Sequence, residues 1–457
     1  MSLASEAKEE SSLRRERGKI CIGLCRGLMI NKNMLRWIAI LLMGGCMMNS
    51  DAQPKGFNYD ESQVPDYDLP DSLVNKEGKA IDAATWQSTR RDEILHLFQT
   101  QIYGQQPPAP SELEWERYEE SSEAIGGKAT RQQIRLFPGG RDASVVFDLL
   151  VYLPNRPLSK GEKVPAFVGL NFMGNHTVQA DPAITLNPGW IPRRGKGVVN
   201  NQATDASRGT YSHRWPVEQI IDRGFAVATI YTGDIDPDED DQFQNGIHAL
   251  YPELQGKGDN FSSISAWAWG LSRAMDYFER ADEVDSQRVA VIGHSRLGKT
   301  ALWAGATDSR FAMVVSNNSG CGGAALSRRR FGETVAKIGS TFPHWFCQNF
   351  TKYHDKEDSL PVDQHQLIEL VAPRLVYIAS ASEDRWADPR GEFLSAQHAS
   401  PVYRLLGKRG IAKDAEWPDP GQVIHTDSVG YHLREGKHDI LAEDWQHYLD
   451  FAEERMR

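Results

Sequence analysis

Short apolar runs, several rich in β-branched side chains, alternate with helix-like stretches along most of this chain. Residues 145–153 read VVFDLLVYL and residues 164–172 read VPAFVGLNF, and both predict strands. The second is apolar at nearly every position, which predicts burial on both faces, as in a parallel sheet covered on two sides. A helix-like stretch at 217–223 leads into GFAVATIY at 224–231, another strand. Residues 265–281 place Trp267, Leu271, Ala274 and Phe278 at spacings of three and four, the pattern of an amphipathic helix. Further strands are expected at 288–292, 311–316 and 374–379, and a last helix at 441–456. This alternation predicts the α/β class: a three-layer sandwich with a mostly parallel central sheet between helices.

Outside these runs the pattern weakens. Residues 181–214 have little periodicity and many Gly, Pro and Asn. They read as a loop insertion above the carboxyl ends of the strands, where such folds place ligands. Residues 53–85 are polar and contain Pro, and are expected to wrap the surface of a catalytic domain spanning 86–457. No repeat of 20–50 residues is visible. Residues 1–52 read as an N-terminal extension and signal peptide. LRWIAILLMGGCMM at 35–48, with Lys32 and Arg36 beside it, has the secretory form of a basic start and a short apolar stretch. It is too short and too poorly flanked to span a membrane. Ser50-Asp51-Ala52 fits a cleavage site that leaves Gln53 first, and Gly44-Gly45-Cys46 offers the alternative of a lipid anchor at Cys46. The polar stretch before Met34 is unlike a signal, which makes Met34 the expected true start.

Composition narrows the function. The 457 residues are 40% hydrophobic and 25% charged, which excludes a disordered, fibrous or coiled-coil chain. A net charge of −11 argues against a nucleic-acid partner, since phosphates need a basic face. Without residues 1–52, which hold eight Lys/Arg and five Asp/Glu, the charge becomes −14. That suits a soluble exported protein, whether periplasmic, anchored at the outer membrane or extracellular, and it is expected to be a monomer. Cys321 and Cys347 are then the remaining cysteines, and spacing does not decide whether they pair. Asp236, Asp238, Glu239, Asp240 and Asp241 form an acidic run without the ordered spacing of a calcium loop, and read as solvated. No H-E-x-x-H or paired C-x-x-C occurs, so no metal and no cofactor is expected.

The most informative stretch is RVAVIGHSRLGKTALW at 288–303, a strand, a sharp turn and a helix. From Gly293 to Thr300 it matches the phosphate-loop form G-x-x-x-x-G-K-[ST]. Such loops usually follow the first strand, and nucleoside triphosphates are scarce outside the cell. The second reading is a nucleophile elbow, in which a small residue two before Ser295 lets the chain turn tightly and lifts the hydroxyl to the sheet edge. Leu297 stands where the second Gly of G-x-S-x-G belongs, and Gly298 follows one place later.

A serine hydroxyl needs a base, and the base an orienting acid. In α/β-hydrolases the chain order is serine, acid, histidine. The strand at 374–379 runs into Ser380-Ala381-Ser382-Glu383-Asp384-Arg385-Trp386, and Gly436-Lys437-His438-Asp439 lies in a polar loop before the last helix. Ser295, Asp384 and His438 therefore occur in the expected order, each at a loop position.

Here the chain resembles a known family: carbohydrate esterase family 15, the glucuronoyl esterases, of the bacterial type. The resemblance covers about residues 85–455. Its most specific mark is Gly293-His294-Ser295-Arg296-Leu297-Gly298-Lys299, where members carry G-x-S-R-x-G-K. Further matches are Ser319-Gly320-Cys321-Gly322-Gly323, Phe331-Gly332-Glu333, His344-Trp345-Phe346, Asp363-Gln364-His365, Ala372-Pro373-Arg374 and Trp386. The resemblance implies an α/β-hydrolase fold with Ser295 as nucleophile and His438 as base. It gives Arg296 a place at the oxyanion, and Lys299, Glu333 and Trp386 the hydroxyls and one face of a glucuronate ring. Backbone N–H groups at Arg296 and near Met173-Gly174 are further candidate oxyanion donors. Many members place the triad Glu after the strand that follows the elbow, where this chain has Asn318. Asn cannot balance an imidazolium, so the acid role falls to Asp384, with Glu383 its neighbouring competitor.

The expected activity is that of a serine esterase on glucuronic acid esters. By resemblance, the natural bond joins 4-O-methyl-glucuronate on xylan to a lignin alcohol. The alternatives are another α/β-hydrolase, such as an acetyl-sugar esterase or peptidase, and a uronate-binding protein with weakened catalysis. A nucleotide hydrolase is the reading left by the phosphate-loop match.

Overall fold

The computed structural model describes residues 53–456, apart from Lys76, Ala143 and 157–161. The expected signal segment, the Met34 start and Cys46 lie outside the described residues. Ten strands form one sheet: β1 (Leu113–Glu123), β2 (Ala129–Pro138), β3 (Phe147–Pro154), β4 (Val164–Asn171), β5 (Ala226–Tyr231), β6 (Val284–His294), β7 (Met313–Asn317), β8 (Leu375–Ala381), β9 (Val423–His425) and β10 (Val429–Arg434). Their order is β1-β2-β3-β5-β4-β6-β7-β8-β10-β9. The stretch from β5 to β10 is parallel throughout. β1–β3 extend it antiparallel at one edge and β9 at the other.

The continuous apolar pattern of β4 is explained by its central place, where all eight residues are buried. The helices used below are α1 (Val217–Asp222), α2 (Ser263–Phe278), α3 (Arg296–Thr307), α4 (Pro389–Leu405) and α5 (Ala442–Arg455). On one face of the sheet Ala166, Val168 and Leu170 join Trp267, Leu271 and Trp303 in the larger core. On the other, Phe167 packs against Phe225 and Trp445, each ring 5.4 Å away. The helix expected to be amphipathic, α2, is instead buried all round, with Asp276 its one residue that is not. Both of its buried indoles keep a hydrogen-bond partner: Trp267 donates to the Asp236 carbonyl at 2.8 Å and Trp269 to the Pro108 carbonyl at 3.2 Å.

Residues from Pro54 onward belong to one compact unit. The early segment is tied to it by side chains as well as backbone. Ser72 donates to the buried Glu369 carboxylate, and His365 Nε2 lies 3.1 Å from the Pro70 carbonyl. Cys321 and Cys347 are buried free thiols, so the pairing left open by the sequence is not made. Among the described residues no helix is long and apolar enough to cross a membrane, and no group of side chains is arranged to hold a metal ion.

Candidate active site

Parallel strands send their carboxyl ends to one edge of the sheet, and the loops after β4, β6, β7, β8 and β10 meet there. β6 ends at His294, and Ser295 follows with φ 59° and ψ −130°, a backbone setting that a non-glycine residue rarely adopts. Such strain costs about 1–3 kcal/mol and persists only where the surroundings enforce it. Here Ser295 N–H donates to the Asn317 carbonyl at 2.9 Å, and Gly298 N–H closes the turn on the Ser295 carbonyl at 2.8 Å. A Cβ on Gly293 would stand 1.8 Å from the Leu297 carbonyl oxygen. One on Gly298 would stand 3.0 Å from Ser319 Cβ and 3.1 Å from the Gly293 carbonyl oxygen. The close approach thus falls at 298, which accounts for the shifted glycine, while Leu297 turns into the core.

The lysine of the phosphate-loop match does not face an open anion site. Lys299 is buried and donates to the carbonyls of Ser319 and, at 2.6 Å, Cys321. Two of its three protons are therefore held by protein. Burial lowers its pKa, and the charge of Glu333 opposes that shift.

The three triad candidates converge on this edge. His438 Nδ1–H donates to Asp384 Oδ2 at 2.5 Å, which leaves Nε2 as the acceptor. Asp384 is buried, whereas Glu383 is exposed and fixed through its backbone N–H to the Gly436 carbonyl at 2.9 Å. The His438 ring lies 4.6 Å from that of His294, the residue just before Ser295. Desolvation disfavours a charge on His438, but the carboxylate of Asp384 outweighs it and the pKa is raised. His294 is held neutral by burial and by the nearby His438, with Nδ1 2.6 Å from Asn317 Oδ1.

Asn318, which stands where the resemblance implies an acid, serves the loop of His438. Its Nδ2 donates to the Asp439 carbonyl at 3.0 Å, bracing the loop that carries His438. Arg214, from the predicted insertion, holds the Asp439 carboxylate at 2.7 Å from the other side.

Arg296 begins α3 beside the serine. Its guanidinium bonds Asp238 at 2.8 Å and lies over the rings of Phe172, at 4.5 Å, and Trp345, at 5.5 Å. Burial lowers its pKa to about 10, which leaves it cationic at neutral pH. This corrects the reading of the acidic run as wholly solvated. Asp238 is nearly buried and also accepts from His344 Nε2 at 3.1 Å and Trp345 Nε1 at 2.7 Å. Glu239 and Asp240 are exposed. Among the oxyanion candidates, Gly174 is withdrawn, because its N–H donates to Asn171 Oδ1 at 2.8 Å.

Glu333 and Trp386 sit on adjacent loops, joined where Glu333 N–H donates to the Trp386 carbonyl at 3.0 Å. Burial pushes the Glu333 carboxyl up to about 7 against the pull of Lys299. A carboxylate missed in the sequence, Glu392 of α4, lies behind this group. It accepts from Gly320 N–H at 2.9 Å, Ser319 Oγ at 3.2 Å and Ser380 Oγ at 2.6 Å, and so ties the ends of β7 and β8 together.

A strained serine between a central parallel strand and its helix, with a histidine–aspartate pair on later loops, defines an α/β-hydrolase. Residues 211–407 match the family model for glucuronyl esterases of fungi. The chain is 50% identical over 430 residues to the carbohydrate esterase MZ0003 of an unknown prokaryotic organism, covering 92% of this chain and 98% of that one. A solved structure of a promiscuous CE15 esterase from a marine bacterial metagenome is 51% identical, with a TM-score of 0.80 over 87% of this chain and 99% of that one. The glucuronoyl esterase of Solibacter usitatus is 42% identical, with a TM-score of 0.80 over 86% of this chain and 99% of that one. The chain belongs to carbohydrate esterase family 15, the glucuronoyl esterases, and is an esterase.

Proposed function

We propose that the chain is an exported serine esterase that hydrolyses glucuronic acid esters, with Ser295 as nucleophile, His438 as base and Asp384 as the orienting acid. The observation that carries this reading is the 2.5 Å contact of Asp384 with His438 on the loop edge that holds the strained Ser295. His438 Nε2 takes the proton as Ser295 Oγ bonds to the uronate carbonyl carbon. The negative oxygen is met by the backbone N–H and guanidinium of Arg296, preorganised by Asp238 and the two aromatic rings. The C–O bond to the alcohol then breaks, and the imidazolium supplies the proton that the alcohol leaves with. Water, deprotonated by His438, releases glucuronic acid from the acyl-enzyme. Glu333 accepts from a ring hydroxyl, the remaining Lys299 proton donates to one, and Trp386 covers an apolar C–H face of the sugar. The native bond in this reading joins 4-O-methyl-glucuronate on xylan to a lignin alcohol.

Comparing benzyl glucuronate with an acetylated sugar on the mature chain tests the reading. Release of benzyl alcohol at a higher kcat/KM than acetate is the expected result. Preference for the acetyl ester would make the chain a general acetyl esterase, and uronate affinity without alcohol release would make it a binding protein.

Two further outcomes follow from the site. An ionised Glu333 accepts from a hydroxyl more strongly than a protonated one, so KM for benzyl glucuronate should rise as pH falls through about 7. Glu333→Gln should remove that acidic limb, and its persistence in the variant would assign it elsewhere. Lys299→Ala leaves two buried carbonyls without a donor, and should cost about 1–3 kcal/mol in urea unfolding. It should also weaken uronate esters more than aryl acetates, and equal loss on both would remove Lys299 from sugar recognition.

A further inference from the structure

Glu333 and Trp386 come from loops separated by some fifty residues of chain, and a third segment crosses both of them. Phe57 packs perpendicular to Trp386, ring centroids 4.8 Å apart. The Asn58 carbonyl accepts from Gly332 N–H at 2.8 Å. The Tyr59 ring lies 6.1 Å from that of Phe331, and the Arg385 guanidinium lies 5.6 Å from the Tyr59 ring and 5.7 Å from the Phe331 ring. Glu61 bonds Arg329 at 2.7 Å and Arg390 at 3.2 Å. Phe57, Asn58 and Tyr59, with Glu61 at the start of a short 3-10 turn, thus grip Phe331-Gly332-Glu333 on one side and Arg385-Trp386 on the other. The fit is close: Gly332 has φ 63°, and a Cβ there would stand 2.4 Å from the Trp386 carbonyl oxygen.

We propose that residues 57–61 are a positioning strap for the sugar side of the site, in which Phe57 sets the orientation of the Trp386 indole. The inference rests on the reading of Trp386 and Glu333 as uronate-binding groups and deepens it. A half-buried indole on a loop has two free side-chain torsions, and stacking on a sugar ring requires one plane. An aromatic contact that fixes this plane before substrate arrives removes an ordering cost from binding. The chemistry served is recognition of the hexuronate ring. The strap's contacts run to the loops of Glu333 and Trp386, so its effect belongs in KM for uronate esters and not in the bond-breaking step.

The test is steady-state kinetics of the mature chain on benzyl glucuronate and 4-nitrophenyl acetate, with thermal melts. Phe57→Ala should raise KM for benzyl glucuronate about five- to tenfold, the size of one perpendicular aromatic pair, with kcat unchanged. Hydrolysis of the acetate should not move, and Phe57→Tyr should restore the lower KM. In a Trp386→Ala background the loss of Phe57 should add nothing further. If Trp386→Ala raises KM and Phe57→Ala does not, the strap is overturned while the sugar-site reading stands. If Trp386→Ala itself leaves KM unchanged, the sugar-site reading falls and takes the strap with it. A Phe57→Ala variant that slows both substrates in proportion to a lowered Tm overturns the strap as well, since its contact would then be structural only.

Discussion

Ser295→Ala is expected to abolish ester turnover, with a loss in kcat on the order of 10⁶-fold, as when a hydrolase loses the nucleophile of a concerted triad. Affinity for glucuronate should survive, because Glu333 and Trp386 lie on other loops and the Lys299 ammonium is held by the Ser319 and Cys321 carbonyls, not by Ser295. Isothermal titration with glucuronate beside a kcat measurement reads both quantities. Residual turnover close to the parent rate would mean that the nucleophile is another residue.

Asp384→Asn is the second large effect, expected at about 10⁴-fold in kcat. In the proposed mechanism the carboxylate fixes the tautomer of His438 and balances the imidazolium, and an amide does neither. The pH profile should move as well. A base works only when neutral, and Asp384 raises the pKa of His438, so activity in the parent falls as pH drops through that raised value. Without the carboxylate the acidic limb should shift to lower pH. Glu383→Gln should be close to the parent, since Glu383 is exposed and Asp384 makes the contact with the ring. A collapse confined to Glu383→Gln would transfer the role.

The parts of the fold that sequence reveals are those whose burial is uniform. β4, β5 and the end of β6 are apolar at almost every position, and α5 keeps its period. What stays hidden is structure made from polar residues that satisfy one another. β1 reads LEWERYEESSE, and β1 and β2 form an antiparallel pair in which Arg131 meets Glu119 at 2.6 Å. β10 carries His432 and Arg434 into the interior, where Asp444 of α5 meets them at 2.8 Å and 3.0 Å. α4 contains Pro401 within its run, a residue that reads as a break.

The site divides along the same line. Chain order and loop position single out Ser295, Asp384 and His438 as candidates, and the family motif adds Arg296. The partner of Arg296 is not legible, because Asp238 stands in a run of acids that resembles a solvated loop. Its partners besides Arg296, His344 and Trp345, arrive from a distant part of the chain. Lys299 shows the opposite case, where the motif points to a ligand-facing cation and two backbone carbonyls claim most of its protons.

His438 keeps 42% of its side-chain surface open to solvent although its carboxylate partner is buried. The imidazole therefore sits at the rim of the sheet edge and not at the end of a tunnel. For the esterase proposed above, an ester in the middle of a long polymer is expected to reach such a rim sideways, without threading a chain end.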